Sequence, residues 1–169
     1  MLKVNPRRRT SRATGRFGIV ASRYNERYVN GMLRATRALL RTAGVTDTEV
    51  VRVPGAFEIP LAAAALARNS QNRPAAIICL GVIWQGETPH AEHIGGAVTE
   101  ALMRIAIETG VPVIHEVLIV QTAAQAKARC LDSKTNRGTE AARTALEMAS
   151  LVDRLRKLKL PLEGTPTPC

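Results

Sequence analysis

Apolar and polar positions alternate in two kinds of pattern along the chain. Phe17-Gly18-Ile19-Val20-Ala21-Ser22 is a short, nearly unbroken apolar run, which predicts a buried strand. Tyr28, Met32, Thr36, Leu39, Leu40 and Ala43 then recur at helical spacing, and Gly44 suits a helix end. Residues 49–53 read as a second strand, stopped by Pro54-Gly55, and the alanine-rich stretch 59–68 reads as a helix. Residues 75–82 form a third strand, 90–109 a long helix ending at Gly110, and 112–120 a fourth strand. Two more helices are expected over 123–131 and 138–158.

Strands that alternate with helices of ten or more residues predict βαβ units with right-handed crossovers. The apolar character of 75–82 suits a sheet covered on both faces. The expectation is an α/β protein: a three-layer α/β/α sandwich on a four-stranded parallel sheet, doubly wound and flavodoxin-like. Ligands of such sheets bind beyond the carboxyl ends of the strands. That rule selects residues 23–27, 54–60, 83–90 and 115–122.

The length of 169 residues suits one domain, expected over 16–160. A flexible basic arm is expected over 1–15 and a loose, proline-containing tail over 161–169. No apolar run approaches the roughly 20 residues of a membrane span, and no apolar core follows Arg7, Arg8 and Arg9, so a cytoplasmic protein is expected. Cys79, Cys130 and Cys169 are far apart and show no CxxC spacing, which argues against a zinc ribbon, a redox pair or a disulfide framework. The net charge of +10 is concentrated near the ends, at Arg7 to Arg9, Arg12, Arg16, Arg154, Arg156, Lys157 and Lys159. It reads either as anion attraction or as solvated tails. No nucleic-acid motif accompanies it.

The four segments hold a consistent set of chemistry. Tyr24 offers a flat face for a heterocycle, and Asn25 either hydrogen-bonds that ring or caps the next helix. Ala56, Phe57 and Glu58 lie in a rigid turn whose free amides can hold a polyol, or Glu58 simply favours a first helical turn. Trp84, Gly86, Glu87 and Thr88 precede a long helix that starts at His90, and its amino end suits a phosphate. His90 can move protons near pH 7. His115 and Glu116 interrupt an apolar strand, and Arg129 follows on the next helix, as a phosphate ligand or as part of a solvated face.

Taken together, Ser22-Arg23-Tyr24-Asn25, Pro54-Gly55-Ala56-Phe57-Glu58-Ile59-Pro60, Gly86-Glu87-Thr88-Pro89-His90, Gln125-Ala126 through Arg129, and Asn136-Arg137-Gly138 resemble the lumazine synthase family. The matches run in order from about residue 15 to 155. The resemblance implies condensation of 5-amino-6-(D-ribitylamino)uracil with 3,4-dihydroxy-2-butanone 4-phosphate, giving 6,7-dimethyl-8-ribityllumazine and phosphate in riboflavin biosynthesis, with no metal or organic cofactor. It assigns His90 to acid–base work. Tyr24, Asn25, Ala56, Phe57, Glu58, Val82, Ile83 and Trp84 fall to the pyrimidine and ribityl chain. Glu87, Thr88 and Arg129 fall to the phosphate, with Arg137 auxiliary. His115 stands where a phenylalanine from a neighbouring subunit closes the ring site. Active sites between subunits of a homopentamer follow, as does a possible icosahedral shell, since 125–138 carries no insertion against the shell-forming pattern. Riboflavin synthase is a further partner the resemblance suggests.

Several positions depart from the family pattern. Glu116 replaces a glycine, Trp84 an aliphatic residue, Arg137 a lysine, and His115 the phenylalanine. Two other readings compete. His90, His93 and His115 form a potential zinc triad of a metal-dependent hydrolase. A non-catalytic module binding RNA or storing a flavin-like ligand would use the basic charge or the pocket alone.

Overall fold

The computed structural model describes residues 15–158. The basic arm lies outside the described residues except for Gly15, and the tail 161–169 lies outside them entirely. The elements run β1 (Phe17–Ser22), α1 (Glu26–Thr42), β2 (Thr48–Val53), α2 (Ile59–Arg68), β3 (Ala76–Trp84), α3 (His90–Thr109), β4 (Val113–Val120), α4 (Ala123–Cys130) and α5 (Arg137–Lys157). All neighbouring strands are parallel, in the order β2-β1-β3-β4. The order reverses between β1 and β3, so the expected three-layer, doubly wound fold is present with its switch point there.

Strand alternation separates two apolar cores. Phe17, Ile19, Ala21, Ile78, Leu80 and Val82 point to one face, which α1 and α5 cover. Val20, Ile77, Cys79 and Val117 point to the other, against α2 and α3. Both cores are closed to water along β1 and the body of β3, which explains why those strands lack charged positions. Cys79 and Cys130 are both buried; burial pushes their thiols up, to about 11 for Cys130, so neither is a ready nucleophile.

Small residues bring the α1 layer close. A side chain on Gly138 would stand 2.1 Å from the Met32 carbonyl oxygen, and one on Gly31 would stand 2.3 Å from that of Cys130. Thr36 donates to the Gly138 carbonyl at 2.9 Å, fixing the crossing. Gly138→Ala must therefore separate α1 from the start of α5. It is expected to cost about 2–3 kcal/mol, read as a lowered midpoint in chemical unfolding.

Two element ends differ from the sequence expectation. β3 continues through Ile83 and Trp84, which pair with Ile119 and Val120 rather than opening a loop. Their pairing with an edge strand supplies hydrogen bonds that the local sequence does not reveal. The expected segment 115–122 is mostly strand as well, since β4 ends only at Val120.

Candidate active site

The loops after β1 and β2 are laced together. Arg23 donates its amide to Val53 and Pro54 carbonyls, and Tyr24 donates to Pro54 at 2.9 Å. Arg52 reinforces the lacing by donating to the Ser22 carbonyl at 3.0 Å and to Asn30 Oδ1 at 2.7 Å. Sequence reasoning missed Arg52, whose signal is a cation late in a strand. Glu58 folds back to accept from the Gly55 amide at 2.9 Å.

Gly55 lies directly against the Tyr24 ring, with 3.0 Å from its would-be Cβ to ring carbon Cδ2. The ring is 69% exposed, and Phe57 nearby in sequence is 62% exposed, so two aromatic faces stand in solvent. Ala56 between them is buried.

Asn25 occupies the amino end of α1 but makes no capping bond. Its backbone is left-handed at φ 57, the only positive φ at a non-glycine among the described residues. The side chain turns toward β3 instead. Nδ2 donates to the Val82 carbonyl at 2.7 Å, and Oδ1 accepts from Trp84 Nε1 at 2.9 Å. The capping alternative is thereby replaced by a bridge across the switch point.

Beyond Trp84, Gly86, Glu87, Thr88, Pro89 and His90 are all exposed. No side chain caps α3. The first amides of a helix have no partners within it, so this end is open to an anion.

The remaining site residues lie elsewhere. His115 is paired with Cys79, five residues before Trp84, on the edge strand β4. At about 3.3 Å per residue, that places it roughly 16 Å from the rim. Thr99 donates to the Gly95 carbonyl at 2.7 Å, so its oxygen is left to accept the His115 Nε2 proton at 3.0 Å. Burial lowers the His115 pKa despite a bond to its own backbone. The folded chain therefore resists protonation, and the resulting stability exists above the ordinary value of 6.5 and is lost as pH falls below it. His115→Gln should flatten the acid-side decline of the unfolding midpoint.

Arg129 is exposed on α4. No three metal-ligating side chains converge among the described residues, so His90, His93 and His115 form no zinc triad within one chain. Of the basic groups near the ends, Arg7, Arg8, Arg9, Arg12 and Lys159 lie outside the described residues, whereas Arg16 pairs with Asp47 and Glu49. No helix among the described residues is long and apolar enough to cross a membrane.

A family model described as 6,7-dimethyl-8-ribityllumazine synthase matches residues 14–153. The chain belongs to this family. A relative from Xanthomonas campestris pv. campestris (strain B100), named 6,7-dimethyl-8-ribityllumazine synthase, is 42% identical over 144 residues, covering 84% of this chain and 92% of its own. A relative of the same name from Stenotrophomonas maltophilia (strain R551-3) has the same identity and coverage. The lumazine synthase family is one of transferase enzymes, and the chain is an enzyme of that class.

Two departures from the lumazine synthase pattern form one unit. Glu116, 5% exposed, accepts from Arg137 Nε at 3.0 Å and from Nη2 at 2.9 Å. Arg137 also pairs with Glu140. Burial pushes the Glu116 carboxyl above its usual range, and Arg137 draws it back only in part. Arg137 is thus held between two carboxylates. Asn136 sets its position by accepting from the Gly138 amide at 2.9 Å and donating to the Cys130 carbonyl at 2.7 Å. The structure therefore gathers Tyr24, Asn25, Ala56, Phe57, Glu58, Val82, Ile83, Trp84, Glu87, Thr88 and His90 toward one rim, and holds His115 and Arg137 along the body of β4, away from it, with Arg129 on α4.

Proposed function

We propose that the chain condenses 5-amino-6-(D-ribitylamino)uracil with 3,4-dihydroxy-2-butanone 4-phosphate to form 6,7-dimethyl-8-ribityllumazine. The 5-amino nitrogen attacks the ketone and loses water to give a Schiff base. Phosphate leaves, and the ribitylamino nitrogen closes the second ring onto the carbonyl so generated, releasing a second water. The carrying observation is the rim itself: at the carboxyl ends of the neighbouring strands β1 and β3 stand an exposed Tyr24 ring seated on Gly55 and an uncapped helix start that carries His90.

In this reading Tyr24 stacks on the pyrimidine, and the Ala56–Glu58 turn holds the ribityl chain. Val82 and Ile83 lie along the ring. The amides of Glu87 and Thr88, with the Thr88 hydroxyl, receive the phosphate, while the Glu87 carboxylate points elsewhere to avoid like-charge repulsion. His90 transfers protons during Schiff base formation and ring closure. Holding the two reactants together contributes about 7–11 kcal/mol, more than a single acid–base group. His90→Ala is accordingly expected to lower turnover about 10²-fold without abolishing it. Unchanged turnover would refute the role.

The site is completed by a neighbouring subunit supplying His115 and Arg129. Support comes from the flank that carries His115. There the edge strand β4 is open, and Met103, Ile107 and Ile119 are exposed beside it. The burial-lowered pKa keeps the His115 ring uncharged near neutral pH, so it can close the ring site as an aromatic lid. A homopentamer is the expected unit, and a shell of pentamers the larger form. Light scattering tests the shell, which a particle no larger than one pentamer would exclude. The reaction itself is tested by mixing both substrates with purified protein and following the fluorescent lumazine. No product above the uncatalysed rate would overturn the proposal.

A further inference from the structure

Trp84 is the sole tryptophan of the chain and closes β3 at the switch point. At 37% exposure it is neither core nor free surface. Two contacts from the first turn of α1 and its lead-in fix it, and one of them is itself anchored on β3. Asn25 Oδ1 accepts its indole proton at 2.9 Å. Asn25 is itself tied to the backbone of β3 through Val82 at 2.7 Å. Tyr28 meets the indole edge-on, with centroids 5.9 Å apart and planes at 75°. The left-handed backbone of Asn25 aims its amide at β3 rather than at α1.

We propose that Asn25 is a positioning residue for Trp84, and that the indole so held, rather than the Asn25 amide, forms the wall that sets how the substrate's flat heterocycle sits at the rim. An asparagine amide has one oxygen and two N–H protons. Here the oxygen and one proton are engaged inside the protein, which turns the amide toward β3 and leaves a single N–H outside these bonds. Fixing the indole before binding removes the ordering cost that a loose aromatic side chain would add. The inference rests on the proposed reaction site, and its test is arranged to fail separately from it.

Asn25→Gly keeps the left-handed backbone without strain and deletes both amide bonds. In ligand-free protein, tryptophan emission should shift to the red as the indole gains solvent. KM for 5-amino-6-(D-ribitylamino)uracil should rise about tenfold, with kcat changing less than about threefold. Trp84→Phe keeps a flat apolar wall that needs no acceptor. In that background Asn25→Gly should raise KM by less than about twofold further. Equal KM increases in both backgrounds would make Asn25 a direct ligand and overturn the proposal. Unchanged emission in Asn25→Gly would overturn it as well. If the unchanged protein forms no lumazine, the proposed reaction fails, while the emission of the ligand-free variant still decides whether Asn25 positions Trp84.

Discussion

Arg129→Met is expected to lower kcat/KM about 10²–10³-fold, because it removes the guanidinium assigned to the phosphate that must bind and then leave. Arg137 is held by Glu116 and Glu140 and is not expected to substitute for it. Arg129, by contrast, is exposed and makes no hydrogen bond or ion pair among the described residues. Two charge-assisted bonds of about 1.5–3 kcal/mol each account for the size of the loss. Arg129→Lys keeps the charge but not the fork, and should retain activity about tenfold above the methionine variant. Steady-state kinetics with the sugar phosphate varied will read both. A loss below about threefold in Arg129→Met would remove this residue from the site.

Glu116→Ala is expected to destabilise the fold by about 3–4 kcal/mol, a drop of roughly 10 °C in Tm. The carboxylate is buried and takes both bonds of a bidentate pair, so its loss leaves a half-buried guanidinium with Glu140 alone. Burial already works against the Glu116 charge, so the pair is costly to assemble as well as costly to break. Glu116→Ala combined with Arg137→Met removes both charges and should recover part of the loss. Thermal unfolding of the three variants checks this. Single costs that simply add in the double variant would show that the two side chains are independent.

The fold was legible where both faces of a strand are buried. Phe17–Ser22 and the apolar body of β3 leave little alternative to a covered parallel sheet, and Gly44 and Gly110 mark helix ends, both at positive φ. Trp84 was less legible, because only pairing with Val120 makes it strand. Asn25 carries a capping signal that its left-handed backbone cancels. Glu116 announced itself as a carboxylate in an apolar strand, but Arg137, 21 residues later, is joined to it only by tertiary folding. The rim side chains followed from the strand-end rule. The same rule also selected His115, which lies well inside β4 opposite Cys79, and it gave no place to Arg129 on α4.

The proposed sharing of a site between two chains can be tested by complementation. His90→Ala damages the rim half and Arg129→Met the half proposed to come from a neighbour, so a mixed oligomer is expected to contain some sites with an intact half from each parent. Co-refolding equal amounts should restore about one quarter of the activity of the unchanged protein, as random mixing around a closed ring requires. Activity no greater than the average of the two parents would place His90 and Arg129 in one chain's site or in none.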